Sequence, residues 1–269
     1  TEPNHAGSNP VFMSTTAIKK NDSYIINGRK WYTSSAEGSS FAIVMAISNP
    51  NEKNKYLTAS QIIVPTNSKG FKLIRKIPVM GEEGEGYFSH SEINYNDVMV
   101  PKENLLGKEG SGFKIAQSRL GPGRIHHCMR WIGICERSFD MMCKRAASRE
   151  LSPGKFLGEK QLIHKMIAER RVEINAAKLL VMDVGRKIEK EGSKESRFDI
   201  SMIKFYCANI LKRVIDDAIQ IHGGLGMSDD IILSHFYRHE RAARIYDGAD
   251  EVHITNVAKG ILSKYGLKI

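Results

Sequence analysis

The sequence predicts an α+β fold in two separate domains, a small antiparallel β-barrel-like domain followed by an antiparallel four-helix bundle. From Phe12 to about Pro101, short β-rich runs alternate with turn signals. After Gly107, apolar residues recur at the i, i+3, i+4 and i+7 spacing of long amphipathic helices. This change of period places the two domains at 1–106 and 107–269.

The β domain is predicted from one Asn-Gly pair and a series of β-rich runs. Asn27-Gly28 separates two such runs in SYIINGRKWYT, an arrangement typical of a two-residue hairpin turn. Turn signals that include Gly70 and Gly81 separate the runs that follow, which read FAIVMAIS, SQIIVP, FKLIRKIPV and YFSHSEINYNDVMVP. We expect these runs to supply the strands.

The helical half is predicted to consist of four long helices joined by short loops. Their expected bounds are Phe113 to Ala146, Gly158 to Glu191, Arg197 to His222 and Glu251 to Tyr265, with a shorter helix near Ile231 to Ala243. Gly121 and Pro122 fall inside the first helix, and we expect it to kink or break there.

The composition is that of a globular chain. With 269 residues, 41% of them hydrophobic and 26% charged, the chain can bury a sizeable core. No run of about 18 apolar residues occurs, so no predicted helix spans a bilayer. The formal charge of +10 permits nucleic acid as a partner. Lys and Arg are interspersed with Glu and Asp, however, and an anionic small ligand accounts for the charge equally well.

No metal site or disulfide framework is predicted. The four cysteines lie in helical sequence without metal-ligand spacing, and we interpret them as reduced thiols. His126 and His127 have no partner at ligand spacing and are expected at packing or interface positions. The opening TEPNHAGSNP has neither an initiating Met nor the apolar run of a secretion signal. We expect upstream sequence to be missing, which leaves the compartment open.

Several short motifs, in order along nearly the whole chain, resemble those of the acyl-CoA dehydrogenase family. The family's T-E-P-x-x-G-S-D, I-N-G-x-K-x-W-I-T-N and V-P-x-x-N-x-L segments resemble Thr1 to Asn9, Ile25 to Ser34 and Val100 to Leu106. Its Q-x-x-G-G-x-G turn and its I-Y-E-G segment resemble Gln220 to Gly226 and Ile245 to Gly248. The part that would be missing corresponds to the family's N-terminal helical domain.

Two variant segments resemble one branch of the family. They are Gly123 to Arg130, reading GRIHHCMR, and Asp247 to His253, reading DGADEVH. In that branch the dehydrogenase is often fused to an aminoglycoside-phosphotransferase-like kinase domain, and no part of a kinase is visible in this sequence.

The resemblance implies flavin-dependent α,β-dehydrogenation of a fatty acyl-CoA, with FAD as cofactor and Asp247 as the base. Asp247 stands where most relatives have Glu, and its side chain is one methylene shorter. Local sequence alone favours a helix N-cap for Asp247, since D-G-A-D-E before an apolar run is ordinary capping chemistry. Asp250 and Glu251 are expected in the first turn of the last helix, where acidic groups complement the helix dipole.

The resemblance also implies the residues that bind the flavin. In the β domain they are Thr1, Gly7, Ser8, Trp31 and Thr33, although a strand tryptophan is ordinarily a half-buried packing residue. In the helical domain they are Arg149, Gln220, Gly223 and Gly224, which would meet the flavin dinucleotide. A glycine-terminated helix explains the two glycines equally well, and Arg149 is almost as readily explained as a solvated side chain.

Two residues are expected on the substrate side, Arg124 and Gly248. Arg124 follows Phe113 at the spacing where the family has an Arg facing the CoA, and a structural salt bridge is an equal alternative. The resemblance further implies an electron-transferring flavoprotein as acceptor and a homodimer or homotetramer. It favours the mitochondrial matrix, with the peroxisome as alternative. Other functions on the same fold are nucleic-acid binding, an acyl-CoA oxidase and a non-catalytic binding module.

Overall fold

The computed structural model describes residues 1–267 and divides the chain into two compact units. The first unit comprises Thr1–Arg119, and the second begins at Leu120. The predicted fold class is confirmed, because a β-sheet domain is followed by a helical domain. The two units divide within the first long helix, whereas the change of sequence period lies near residue 106.

The β domain is one seven-stranded sheet with the strand order β5-β6-β2-β1-β3-β4-β7. Neighbouring strands are antiparallel except β1 and β3, which meet in parallel at a single pair of residues. Alternate residues of the central strands are buried, as a sheet with one face on the core requires. The strands are β1 Thr16–Lys20, β2 Ser23–Ser34, β3 Phe41–Ile47, β4 Ala59–Pro65, β5 Phe71–Lys76, β6 His90–Pro101 and β7 Leu105–Leu106.

The hairpin predicted at Asn27-Gly28 is wrong. These two residues lie inside β2, and the chain reverses at Asn21 and Asp22, between β1 and β2. Asn21 has a left-handed backbone with a φ of 54°, which asparagine tolerates better than most residues.

Asn27 and Gly28 instead form an irregularity where β2 pairs with β6. The Asn27 side chain donates to the Asp97 carboxylate at 2.9 Å and accepts from the Asp97 N–H at 2.8 Å. A Cβ on Gly28 would lie 2.4 Å from the Thr15 hydroxyl, so only glycine fits. The pairing register shifts at this point, and the Asn-Gly pair therefore marks a β-bulge.

The second unit is built from long helices and two short ones. A two-stranded hairpin that the sequence did not predict, β8 Glu150–Ser152 and β9 Lys155–Phe156, follows the first helix. The helices are α1 Gly112–Ser148, α2 Gln161–Glu191, α3 Arg197–His222, α4 Gly224–Met227, α5 Leu233–Glu240 and α6 Asp250–Ser263. The bounds predicted for the third long helix agree with α3 at both ends.

Helix α1 continues through Pro122, so the predicted break does not occur. Proline removes one N–H from the helical ladder and crowds the preceding turn. The adjacent Gly123 has open space around it, and the nearest atom to a Cβ on Gly121 would be 3.5 Å away on Ser193. The helix thus continues through Pro122 at a point where the residues on either side, Gly121 and Gly123, carry no side chains.

The core of the bundle forms around α3, which packs against α2, α5 and α6. Trp131 of α1, Ile174 of α2, and Ile203 and Leu211 of α3 are all at most 1% exposed. This packing fixes the positions of α1, α3 and α6, which carry the polar residues described below. Within residues 1–267, no helix combines the length and the apolar character needed to cross a membrane.

Two glycines of the β domain provide a matched test of backbone constraint. Gly70 and Gly81 have nearly equal φ values of 91° and 90°. A Cβ on Gly70 would lie 2.1 Å from the Asn96 carbonyl oxygen, whereas one on Gly81 would meet nothing within 4 Å. We expect both Ala variants to have a free energy of unfolding about 1–2 kcal/mol lower than the wild type, because alanine disfavours the left-handed backbone. Gly70→Ala should lower the free energy of unfolding by about 1–3 kcal/mol more, because its new Cβ overlaps the Asn96 carbonyl. Equal urea midpoints for the two variants would contradict this assignment.

Candidate functional site

Asp247 lies in a tight turn immediately before helix α6. It adopts a left-handed backbone with a φ of 53°, and Gly248 follows with a φ of 100°. Such a conformation is uncommon for a residue other than glycine and needs support from its surroundings. At Gly248 a Cβ would lie 2.7 Å from His253 Nε2, so the turn also requires glycine at that position.

Side chains from three helices hold the carbonyl oxygens of this turn. Arg124 of α1 donates from Nε to the Asp247 carbonyl at 2.9 Å, and His253 of α6 donates from Nε2 to the same oxygen at 3.2 Å. Lys204 of α3 donates from Nζ to the Gly248 carbonyl at 2.5 Å. Hydrogen bonds with a charged donor are among the stronger ones, so the turn is fixed to the bundle.

Burial shifts the pKa values of these donors. Lys204 is 0% exposed. Desolvation lowers its pKa to about 8, although the nearby carboxylates of Asp250 and Asp247 oppose the shift. Desolvation also lowers the pKa of His253 to about 4, with further contributions from Arg124 and Lys204. His253 is therefore neutral near pH 7, donating from Nε2 while Nδ1 accepts from the Ser201 hydroxyl at 3.1 Å.

The Asp247 side chain does not cap helix α6. The N-cap residue is Ala249, and Asp247 Oδ2 instead accepts a hydrogen bond from His127 Nε2 at 3.1 Å. The Asp247 side chain is 16% exposed and the His127 side chain 29% exposed. The capping role favoured by local sequence is therefore wrong, since the cap lies two residues further on.

The two neighbouring carboxylates, Asp250 and Glu251, belong to helix α6 and not to the turn. Asp250 and Glu251 occupy the first turn of α6, as expected from the sequence. Asp250 is 2% exposed, and its Oδ2 accepts from Arg244 Nε at 2.6 Å and from Asn209 at 2.9 Å. Of the three acidic residues, Asp250 is thus buried in an ion pair and Glu251 lies on the surface.

In the β domain, Thr1, Trp31 and Thr33 border one cavity of about 450 Å³. Thr1 and Trp31 are joined by two hydrogen bonds, from Trp31 N–H to the Thr1 carbonyl at 3.1 Å and from Thr1 Oγ1 to the Trp31 carbonyl at 2.9 Å. The other lining residues include both hydroxyl and apolar side chains: Lys30, Tyr32, Ser34, Ala36, Ser39, Phe41, Ala42, Ile43, Val44, Met45 and Tyr95.

The first residues of the chain are held by a buried ion pair that the sequence did not predict. Glu2 is 3% exposed and accepts from Lys30 Nζ at 2.8 Å. Glu2 also accepts from the backbone N–H groups of Ser14 and Thr15 at 2.7 Å and 3.0 Å. Burial alone would raise the pKa of Glu2, but the hydrogen bonds from Lys30, Thr15 and Ser14 outweigh it and hold the pKa far below its usual range.

Gly7 and Ser8 lie on the exposed segment that follows this ion pair. A Cβ on Gly7 would lie 3.0 Å from the Thr1 side chain, so a larger residue there would crowd Thr1. Neither Gly7 nor Ser8 lines the cavity beside Trp31.

The residues expected at the flavin dinucleotide are exposed on the helical unit. Gly223 ends α3 with a φ of 64°, and its N–H donates to the carbonyls of Gln220 and Ile219. This is the glycine-terminated helix that the sequence allowed as an alternative. A Cβ on Gly223 or Gly224 would meet nothing within 4 Å, so the backbone there remains open to an approaching group. Arg149 is exposed between α1 and β8.

Residues 1–98 match the acyl-CoA dehydrogenase middle domain, and residues 110–262 match the acyl-CoA dehydrogenase C-terminal domain. The chain belongs to the acyl-CoA dehydrogenase family. The predicted resemblance is therefore confirmed over both domains.

Named relatives agree with this assignment. The chain is 42% identical over 266 residues to "Probable acyl-CoA dehydrogenase FadE2" of Mycobacterium tuberculosis, covering 98% of this chain and 64% of that protein. It is 41% identical over 261 residues to "Acyl-CoA dehydrogenase family member 11" of Gallus gallus, covering 96% of this chain and 34% of that protein. The chain thus spans less than two thirds of the length of these relatives.

A solved structure shows the same fold. Butyryl-CoA dehydrogenase from Megasphaera elsdenii superimposes with a TM-score of 0.85 at 30% identity, over 97% of this chain and 66% of that one. The order of sheet and helices described above is therefore that of the acyl-CoA dehydrogenase fold.

Sequence reasoning missed most of the groups around Asp247. Lys204 lies on a helix with many charged residues, and its position in the sequence does not show that its amine is buried. His127 was expected at a packing or interface position; its ring packs on Trp131, and it also hydrogen-bonds the Asp247 carboxylate, which was not predicted. One signal was present, because Arg124 and His127 are three residues apart and must share a helix face.

The lowered pKa of Lys204 predicts a pH-dependent stability. Between about pH 8 and 10.5 the unfolded state holds more protons than the folded state, so stability rises with pH by at most about 1.4 kcal/mol per unit. Lys204→Met removes this contribution. Urea unfolding from pH 7 to 10 should therefore show the wild type gaining stability relative to Lys204→Met above pH 8. Parallel curves for the two proteins would contradict the assignment.

Proposed function

We propose that this chain forms the flavin-facing wall and carries the base of an FAD-dependent acyl-CoA dehydrogenase acting on fatty acyl-CoA thioesters. The observation that carries the proposal is the Asp247 carboxylate, which is 16% exposed and lies on a turn held by the part-buried Arg124 and the buried Lys204. It stands in the family's base position. A carboxylate that served only as a helix cap would need no such support.

The proposed chemistry assigns the α proton of the thioester to Asp247. The α C–H bond breaks as an O–H bond forms on the carboxylate, and the electron pair left on the α carbon forms the new double bond to the β carbon. When bound, FAD supplies the acceptor for the hydride that leaves the β carbon. Arg124, Lys204 and His253 fix the backbone of the base, so little reorganisation is needed as the proton moves.

The residues of the β domain fit a flavin. A planar ring system with polar edges needs a flat apolar surface and nearby hydrogen-bonding groups. Trp31 supplies such a surface, Thr1 and Thr33 supply hydroxyl groups, and all three border the 450 Å³ cavity. Gln220, Gly223, Gly224 and Arg149 are proposed to meet a flavin dinucleotide at an exposed surface. Gly7 and Ser8 belong to the same proposal through the family motif that begins at Thr1.

The wider assignments are also proposals based on the family. They comprise an electron-transferring flavoprotein as acceptor, a homodimer or homotetramer, and a mitochondrial or peroxisomal location. Nucleic-acid binding has less support because several basic residues of α2 and α3 form ion pairs with carboxylates. Examples are Arg170–Asp217, Arg171–Glu136, Lys187–Asp199 and Arg213–Glu173.

Asp247→Asn tests the proposed base in the intact protein. The amide keeps the shape of the side chain but cannot take a proton, so anaerobic bleaching of the bound flavin by acyl-CoA should slow at least 100-fold. Glu251→Gln, on the exposed first turn of α6, is the matched control and should react at the wild-type rate. A fully active Asp247→Asn protein would rule out Asp247 as the base.

Trp31→Leu tests the proposed flavin wall. Loss of the flat indole from the cavity should lower flavin content and weaken FAD binding by about 10-fold, the effect of roughly 1.4 kcal/mol. The control is Phe88→Leu, an 87% exposed aromatic of the same domain that does not line the cavity. Absorbance of bound flavin after dialysis measures the difference, and equal retention by both variants would contradict the assignment.

A further inference from the structure

The two segments that distinguish this branch, GRIHHCMR and DGADEVH, meet in the structure. His127 of the first donates from Nε2 to Asp247 Oδ2 of the second at 3.1 Å. Arg124 of the first segment also donates to the Asp247 carbonyl at 2.9 Å. One helix face therefore supports both the backbone and the side chain of the proposed base.

The ring of His127 is itself held in place. It stacks on Trp131 with a centroid distance of 5.7 Å and an interplanar angle of 18°, and it lies 5.0 Å from the Tyr246 ring. Contact with these two aromatic rings leaves the imidazole little freedom to turn away from Asp247.

The two aromatic residues are fixed in turn by a buried carboxylate. Glu240 is 5% exposed and accepts from Trp131 Nε1 at 3.0 Å. It also accepts from both terminal nitrogens of Arg130, at 2.7 Å and 3.1 Å, and Arg130 donates to the Tyr246 hydroxyl at 2.9 Å. Bidentate pairing of this kind adds geometric precision, so the ion pair of Glu240 and Arg130 helps to fix the two aromatic rings that hold His127.

We infer that His127 is a positioning residue for Asp247, holding one carboxylate oxygen so that the carboxylate is correctly oriented towards the α carbon. This inference rests on the proposed function of Asp247. An unsupported aspartate can rotate about two side-chain bonds, and only some rotamers direct the carboxylate at the substrate. A hydrogen bond from a fixed ring selects one of them. His127 does not exchange a proton with the substrate in this scheme.

The test uses intact flavin-loaded protein and a saturated acyl-CoA, with three variants at adjacent positions of α1. His127→Phe keeps an aromatic ring between Trp131 and Tyr246 but removes the N–H donor. His127→Gln restores a donor at a similar distance from the backbone. His126→Leu alters the neighbouring exposed histidine and serves as the control.

The main readout is the rate of anaerobic flavin bleaching, with the isotope effect of α-deuterated substrate as the second. We expect His127→Phe to slow bleaching about 10- to 100-fold at saturating substrate, since small misplacements of a reacting group have effects of this size. The isotope effect should rise, KM should change little, and flavin content should stay unchanged. His127→Gln should recover most of the rate, and His126→Leu should match the wild type.

Three outcomes would overturn the inference. They are a wild-type rate in His127→Phe, equal rates in His127→Phe and His127→Gln, or a rate loss fully accounted for by lost flavin. Should His127→Phe fail to fold, the comparison of His127→Gln with a donor-free His127→Met decides the point in the same way. Failure of the proposed function gives a different pattern, since Asp247→Asn would then bleach at the wild-type rate.

Discussion

The hydrogen bonds to the carbonyl oxygens of Asp247 and Gly248 are the constraint on which the rest of this site depends. A left-handed residue followed by a glycine forms a turn that is strained in isolation. Donors from α1, α3 and α6 stabilise it, and each comes from a different part of the chain. The direction of the Asp247 side chain is therefore a property of the packed bundle and not of its local sequence.

Burial gives these bonds both their strength and their cost. Lys204 has lost all contact with solvent, which disfavours its charged form and lowers its pKa to about 8. The carbonyl of Gly248 and the charges of Asp250 and Asp247 offset part of that cost. Burying a lysine costs free energy that a helix with only a packing role would not need to spend. The buried Lys204 is explained by its hydrogen bond to the Gly248 carbonyl, which holds the turn.

The parts of the fold that follow local rules could be predicted from sequence. Helix α3 was predicted at both ends because its apolar period is regular and Gly223 ends it with a positive φ. Asn27-Gly28 was misread because the same pair suits a hairpin turn and a β-bulge, and only the distant Thr15 and Asp97 distinguish the two. Helix α1 continued past Pro122, where Gly121 and Gly123 on either side carry no side chains.

Only the residues of the candidate site that lie in family motifs could be predicted from the sequence. Asp247 was placed by its position in the family pattern, while capping rules alone gave it the wrong role. His127 and Lys204 could not be linked to it, because their contacts with this turn join residues 120 and 44 positions apart in the sequence. His253 is only six residues from Asp247, but the sequence does not show that its ring turns back onto the Asp247 carbonyl. The apolar period of a helix predicts which face is buried in the core. It does not predict which polar side chain on that helix will be buried by a turn from a distant part of the chain.

A crystal structure of the intact protein with FAD and an unreactive acyl-CoA analogue would show directly whether Asp247 is placed to act as the base. The decisive quantity is the distance from the Asp247 carboxylate to the α carbon of the analogue. We expect about 3–3.5 Å, the separation of reacting atoms in a productive complex, with the His127 hydrogen bond still in place. Another carboxylate at that distance, with Asp247 turned away from the thioester, would contradict it.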